Sequence, residues 1–294
     1  MTVLVGIGPD GRGANAVHLA GRVAVSTGED LVLCCVVADA WGRGSPAAGA
    51  DADWRRHLES MAQEAVVGAR ESLPPAVDAS VVFRAARSTP RALVEEAERV
   101  GATMLVIGSA GDARMGHVAL GSVANWLLHR SPVPVLIAPR AFWSEWSDRV
   151  ERLVLAVDTD EGVDSAVAET SALAKRAQVG VAVVTFGVRR LPAFPDGGGR
   201  RADDDVFQAW LERIDAVHDR AADRLARDGV EVTERIVAVG DSWRGAVDKV
   251  HWLEGDLLVL GSSREGPLRR IFLGSNAPRI MSQVPVSVVT LPRR

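Results

Sequence analysis

Residues 104–123, MLVIGSAGDARMGHVALGSV, return as residues 257–276, LLVLGSSREGPLRRIFLGSN. Gly108 answers Gly261 and Gly121 answers Gly274, each 153 residues further on. The likeness spreads outward from there. VPVLI at 133–137 answers VPVSV at 284–288 with a spacing of 151, and Leu4-Val5 falls on Val157-Asp158 or nearby, depending on where a short gap is placed. Self-similarity at a near-constant spacing is the signature of a duplicated unit. The length of 294 residues agrees, since domains cluster near ~100–150 residues. The two units read as 1–140 and 152–294, with a linker at 141–151 inside PRAFWSEWSDRVE (139–151), where hydrophobic periodicity lapses.

Each unit alternates strands with helices. In the first, Val3 to Ile7 is a short apolar strand, Ala14 to Ser26 a helix, and Asp30 to Val37 an apolar run of the kind buried on both faces. A Gly/Pro/Ala-rich loop near Gly42 to Asp51 precedes a helix with Trp54, Leu58, Met61 and Ala65 at helical spacing. A strand at Ala79 to Arg84, a helix with Thr89 as N-cap and Pro90 in its first turn, and a strand at Met104 to Ile107 follow. A helix from Ser122 and a strand at Val133 to Ile137 complete the unit. The second unit predicts strands near 152–157, 180–186, 231–237, 257–260 and 286–290, and a longer helix carrying Val206, Trp210, Ile214, Val217, Ala221 and Leu225. The fold class is therefore α/β: two similar open, five-stranded, parallel-sheet domains of Rossmann-like type in tandem. Ligands of such sheets sit beyond the carboxyl ends of the strands, where strand order reverses.

Composition excludes several classes of function. With 47% hydrophobic and 24% charged residues and a net charge of −4, the chain can bury a core but offers no basic footprint for nucleic acid or an anionic membrane. No apolar stretch approaches the ~20 residues that span a bilayer, and the start MTVLVGIGPDGRG lacks a signal-peptide pattern. A cytoplasmic location is expected. Cys34 and Cys35 are neighbours on a strand and point to opposite faces, so free thiols are expected rather than a disulfide. Lys175 and Lys249 are the only lysines, and neither sits in Gly-Lys-Ser/Thr, so there is no Walker-type phosphate loop. The histidines show no metal-ligand spacing, and no GxSxG is present. Asp203-Asp204-Asp205 reads as loop and N-cap, and Trp54 and Trp210 as core or domain-interface residues.

Gly108-Ser-Ala-Gly111, nine residues, then Gly121-Ser122 carries the chemistry. Gly108 leaves the strand end open to a ligand, and Gly111 permits a turn with positive φ. Gly121 and Ser122 open a helix, where free N–H groups, the positive dipole end and a hydroxyl converge on an anion. His117 and Arg114, in the intervening loop, lie within reach of a phosphate or stand in solvent. The alternative is a glycine-rich turn with Ser122 as cap.

The motif G-x2-G-x9-G-[ST], placed after the fourth strand and before a Pro-bearing last strand, resembles that of the universal stress protein family in its tandem form, over nearly the whole chain. The resemblance implies an adenine nucleotide alpha hydrolase-like fold and ATP as ligand, alone or with Mg. It implies phosphate and ribose contacts at Gly108, Gly111, Gly121, Ser122 and Val123, and an adenine-side backbone group at Val36. It also implies an Asp after the first strand. The first half has Gly8 there, whereas the second keeps Asp158. The second half retains Gly261, Gly274 and Ser275 but has Arg264 for the second glycine, and a side chain forced into a left-handed turn costs ~1 kcal/mol or more. ATP is therefore expected in the first half, with the second degenerate. Family members pair their fifth strands, either between two copies of the chain as a homodimer or, in a tandem chain, internally.

Other readings stay open. Gly6-Ile-Gly8-Pro-Asp-Gly11 with Asp39 spells a dinucleotide fingerprint, although the second half has no counterpart. A scaffold that binds no nucleotide and reads only protein partners fits Gly8 and Arg264. A slow nucleotide hydrolase or self-phosphorylating enzyme has the phosphate motif in its favour, but no general base stands out.

Overall fold

A computed structural model describes residues 1–11, 13–38, 48–158, 163–189, 197–261 and 276–292, with side chains for all of these except 38, 48–55 and 197–203. β-Branched apolar runs form strands and the amphipathic runs between them form helices. The first half runs β1 (Thr2–Ile7), α1 (Ala14–Thr27), β2 (Asp30–Ala38), α2 (Ala48–Glu71), β3 (Ala79–Ala86), α3 (Thr89–Val100), β4 (Ala102–Gly108), α4 (Ser122–Arg130) and β5 (Val135–Ala138). The second runs β6 (Arg152–Ala156), α5 (Val163–Ala177), β7 (Gly180–Val188), α6 (Gly197–Arg227), β8 (Val232–Gly240), α7 (Trp243–Val247), β9 (Asp256–Leu260), α8 (Ala277–Met281) and β10 (Ser287–Thr290).

All these strands share one sheet, ordered β3-β2-β1-β4-β5-β10-β9-β6-β7-β8. Each half is parallel, and the halves meet through an antiparallel pair in which Val288 lies opposite Ile137 and Thr290 opposite Val135. The fifth strands thus pair within the chain, and Thr290 Oγ1 adds a bond to the Val135 carbonyl at 3.2 Å. Strand register settles the internal alignment. Val3 pairs with Met104 and Leu153 with Leu257, so Leu4-Val5 corresponds to Val154-Leu155 rather than to Val157-Asp158. Gly6 pairs with Cys34 and Ala156 with Val184, which puts Gly8 and Asp158 in corresponding places, and likewise Val36 and Phe186. Cys35 pairs with Phe83 but Thr185 with Val237, so the extra length of the second half lies between β7 and β8, around α6. The last strands, with Leu105 beside Val135 and Leu258 beside Val288, follow the 153 spacing, which corrects the spacing of 151 expected from VPVLI and VPVSV.

Alternation along the strands feeds two cores. Val3, Val5 and Cys35 pack under α1, α2, α5 and α6, while Leu4 and Cys34 pack under α3, α4, α7 and α8. Both cysteines are free thiols, and burial pushes them up to about 12 for Cys34 and about 11 for Cys35. They are structural apolar groups, inert toward exchange.

Three local expectations are corrected. Ser88, not Thr89, is the N-cap of α3, because the chain turns helical one residue earlier. Asp204 and Asp205 lie inside α6, whose start at Gly197 is well upstream of them. The buried face of α6 is Ile214, Val217, Ala221 and Leu225, whereas Val206 is 70% exposed, because this long helix outruns the sheet beneath it. The side chain of Trp54 lies outside the described residues.

The segment 139–151 is tied down rather than loose. Arg22 on α1 is buried beneath it and donates to Ser144 Oγ (3.0 Å), to Asp148 Oδ2 (2.9 Å) and to the Glu254 carbonyl of the second half (2.7 Å). Its guanidinium also stacks over the Phe142 ring, 5.1 Å from the centroid.

Candidate functional site

In the first half, the order β2-β1-β4-β5 makes β1 and β4 the pair at which crossovers leave in opposite directions. Gly8 follows β1, Gly108 ends β4, and Val36 is the first residue of β2 beyond the last β1 partner, Cys35. Three backbone segments thus end side by side. Gly13 closes the floor between them: a Cβ on Gly108 would lie 3.5 Å from the Gly13 Cα, and a Cβ on Gly13 would lie 2.8 Å from the Gly6 carbonyl oxygen. With φ of 108° as well, Gly13 is the position where only glycine serves.

The loop after β4 is folded back on itself. Ser109 Oγ accepts from the Ala119 N–H at 2.7 Å, and the Ala110 N–H donates to the Ala119 carbonyl at 3.0 Å. Arg140, just past β5, donates through Nη1 to the Ala113 carbonyl (2.7 Å) and receives the Gly116 N–H at its own carbonyl (2.9 Å). This closure sets Gly121 against Ala110, whose Cβ lies 3.4 Å from where a Gly121 Cβ would stand. The two parts of the motif are therefore in contact. Gly121 is the N-cap of α4 and supplies no side-chain acceptor, Ser122 is the first helical residue and exposed, and Val123 packs partly against the core. Ser122 is thus not the cap that the alternative required.

One expectation fails at Gly111, which does not occupy the left-handed region and where an added Cβ would meet nothing within 4 Å. The positive φ of this loop is at Gly116, 73°. The turn is set there and by the Ser109 and Arg140 bonds, so the cost assigned to Arg264 for standing in a left-handed turn loses its basis. Arg264, Gly274, Ser275 and Asp39 lie outside the described residues. In the dinucleotide pattern, Gly6 and Gly8 flank the end of β1, but the close approach to α1 is made by Gly13, which the pattern does not contain. His117 Nδ1 is bonded to the Met115 carbonyl at 2.9 Å, turned back on its own loop.

The second half has an open cleft of about 390 Å³ at the corresponding strand ends, lined by Asp158, Phe186, Gly187, Trp210, Trp243 and Asn276, among others. Phe186 stands where the first half has Val36. Trp210 is therefore a cleft wall and not a core residue: its ring lies 2.8 Å from where a Cβ on Gly187 would be, and it stacks on Phe207 at 5.6 Å. The Arg189 guanidinium lies over the Phe207 ring, 4.4 Å from its centroid. Asp158 is exposed at the cleft, and partial desolvation raises its carboxyl above the ordinary range. Gly261 follows β9, and a Cβ there would come 3.0 Å from the Ala166 Cβ. Sequence reading missed this aromatic lining because Phe186, Trp210 and Trp243 are far apart in the chain. Only the register of the two halves exposes Phe186 as the partner of Val36. Among the described residues, no three His, Cys, Asp or Glu side chains converge as metal ligands, and no helix is long and apolar enough to cross a membrane.

Known proteins match this architecture. The sequence profile of the Universal stress protein family matches residues 1–139 and again 149–292. A universal stress protein of Mycobacterium tuberculosis is 34% identical over 301 residues, covering 99% of this chain and 100% of its own. The crystal structure of a universal stress protein from Archaeoglobus fulgidus covers 99% of this chain and 96% of its own, with a TM-score of 0.64 at 16% identity. A universal stress protein solved in complex with cAMP is 27% identical, covers 47% of this chain and 96% of its own, and has a TM-score of 0.32. With two matches of the family profile and a relative of this identity along its whole length, the chain belongs to the universal stress protein family.

Proposed function

We propose that this protein is a regulatory module that binds an adenine nucleotide, ATP or a close relative, at the carboxyl edge of β1 and β4. Gly108, Gly121, Ser122 and Val123 surround its phosphates and ribose, and the Val36 backbone meets its adenine. The observation that carries the reading is the contact of Gly121 with Ala110, which brings the first turn of α4 beside the open strand end. The N–H groups of that turn are oriented toward an anion at no further conformational cost. Gly111 contributes space rather than a special conformation. No residues of this chain are assigned to Mg.

The second half keeps Asp158 and Gly261 after its first and fourth strands, and its cleft has aromatic walls, which supports a second, unequal binding position in place of a dead one. His117, the one imidazole of the first-half loop, is bonded through Nδ1 to the Met115 carbonyl. A non-binding scaffold is the competing reading, favoured by Gly8, which leaves β1 without a carboxylate for the ribose.

Equilibrium binding of ATP, ADP and AMP to the wild type, to Gly121→Val and to Asp158→Ala separates these readings. The expected outcome is that Gly121→Val loses the tighter site and Asp158→Ala leaves it intact. No affinity of the wild type at millimolar nucleotide disproves the proposal, and equal affinity of Gly121→Val moves the site elsewhere. Arg264→Gly adds to the test: an unchanged second site means that the arginine there is harmless.

A further inference from the structure

Two exposed tryptophans stand on the segment between the halves, away from both strand-end clefts. Trp143 is 60% exposed and Trp146 is 54% exposed. Neither is loosely placed. Trp146 donates through Nε1 to the Ser72 carbonyl at 3.3 Å, and Trp143 leans on the His18 ring at 6.2 Å. Beneath both, Arg22 clamps Ser144 and Asp148 to α1. Together they wall a cavity of about 580 Å³ whose remaining lining is His18, Glu71, Ser72, Ser144, Glu145 and Ser147.

The charge of this lining is one-sided. Glu71 and Glu145 are exposed carboxylates, and the only basic group is His18, which burial holds below its ordinary range, so it is neutral at pH 7. The nearby Arg22 is already engaged by Asp148 at 2.9 Å. Two indoles and two carboxylates around one opening, with no opposing cation in the lining, complement a positive charge carrying apolar substituents. Indole faces attract such cations most strongly when the ion is weakly hydrated.

We propose that this cavity binds a small organic cation, an alkylated ammonium ion, between Trp143 and Trp146 with Glu71 and Glu145 balancing its charge. The site is separate from both strand-end clefts and involves no covalent step. It does not depend on whether those clefts take a nucleotide.

Calorimetric titration of the full-length protein with choline chloride, at ionic strength matched with sodium chloride, tests it. The expected result is saturable binding of choline at one site and none of its uncharged isostere, in which carbon replaces the ammonium nitrogen. Trp143→Ala and the double variant Glu71→Gln/Glu145→Gln are each expected to weaken choline about tenfold. ATP binding, where the wild type has it, is expected to stay unchanged in both. All three positions are exposed, and matching unfolding midpoints show that the variants remain folded. The proposal is overturned if choline shows no saturable binding, if the isostere binds equally well, or if neither variant differs from wild type. Binding of a lysine-rich peptide without choline also overturns it, because the surface then serves a protein partner.

Discussion

Arg22 Nη2 lies 2.9 Å from Asp148 Oδ2, and the two residues are unequally buried: the arginine side chain is 3% exposed and the aspartate 29%. This inequality predicts unequal consequences. Asp148→Ala removes the nearest carboxylate from a buried guanidinium, which keeps Ser144 and the Glu254 carbonyl, and is expected to cost about 3 kcal/mol, whereas Arg22→Met leaves a carboxylate that water can reach and is expected to cost about half of that. Urea unfolding of both variants measures the order, and a larger loss for Arg22→Met would show that the packing of the arginine stem outweighs its charge.

The same pair carries a pH dependence. Burial works to raise the Asp148 carboxyl, but the Glu145 N–H and the Arg22 guanidinium outweigh it and hold the group below the ordinary carboxylate range. A depressed carboxyl contributes stability that is present above its unfolded value near 3.8 and is lost as pH falls toward the lower folded value. Wild type is therefore expected to lose more stability than Asp148→Asn on acidification below pH about 4, read from unfolding midpoints. Parallel pH profiles for the two proteins contradict this assignment.

His218, 1% exposed on α6, supplies a second pH window. Thr185 Oγ1 donates its only proton to the Val157 carbonyl at 2.6 Å, so at 2.9 Å it accepts from His218 Nε2, which fixes the neutral tautomer with the proton on that nitrogen. Desolvation first, and then the Arg235 charge, lower the imidazole below its ordinary value of 6.5, against the opposing pull of Asp215 and Asp219. The fold therefore favours neutral His218, and its contribution is complete above pH 6.5 and declines as pH falls from there toward the folded value. In His218→Gln, whose amide can still donate to Thr185, this slope between neutral and mildly acid pH is expected to vanish. A slope that persists in the variant belongs to another group.

The glycines of the first-half cleft are expected to separate by conformation. Gly111→Ala meets open space at an ordinary φ and is expected to change stability by less than about 0.5 kcal/mol. Gly13→Ala combines φ of 108° with a contact of 2.8 Å to the Gly6 carbonyl and is expected to cost more than about 2 kcal/mol. Thermal unfolding of the two proteins decides the matter. A costly Gly111→Ala would restore the strained turn at that position.

Arg152 and Asp256 are the first residues of β6 and β9, opposite each other in register and joined by two bonds of 3.0 and 2.7 Å. The Asp256 side chain is fully buried and the Arg152 side chain is 11% exposed, so Asp256→Ala is expected to cost about 3 kcal/mol or more. The pair sits at the amino ends of the strands, opposite the clefts, and nucleotide affinity of the folded variant should match wild type. A variant of wild-type stability would mean that Glu234, 3.2 Å from Arg152, takes over the charge.

Much of the fold was legible from the chain. Strand and helix follow from periods of two and three to four residues, and burial on both faces was readable in the apolar run around Cys34 and Cys35, which do enter opposite cores. The motif at Gly108, Gly121 and Ser122 was found by its spacing, and its two parts do meet. What was not legible depended on partners. Trp210 has a helical-face neighbourhood in sequence, yet the extra residues between β7 and β8 carry it past the core into a cleft wall. Gly111 looked like the turn residue because spacing cannot report φ, and the conformational demand fell on Gly13 and Gly116 instead.

The sequence by itself determined that this protein is a duplicated α/β unit with a glycine-rich motif in each copy, because propensity, periodicity and repetition are local properties of the chain. The tertiary structure alone decided that the two sheets become one through Val288 and Ile137, and that the segment after Pro139 is clamped by Arg22 rather than free. It also decided which glycines bear strain. The sheet junction and the clamp are contacts between residues more than a hundred positions apart, such as Arg22 with Ser144 and Glu254, and their free energy exists only once the intervening chain has been brought into place.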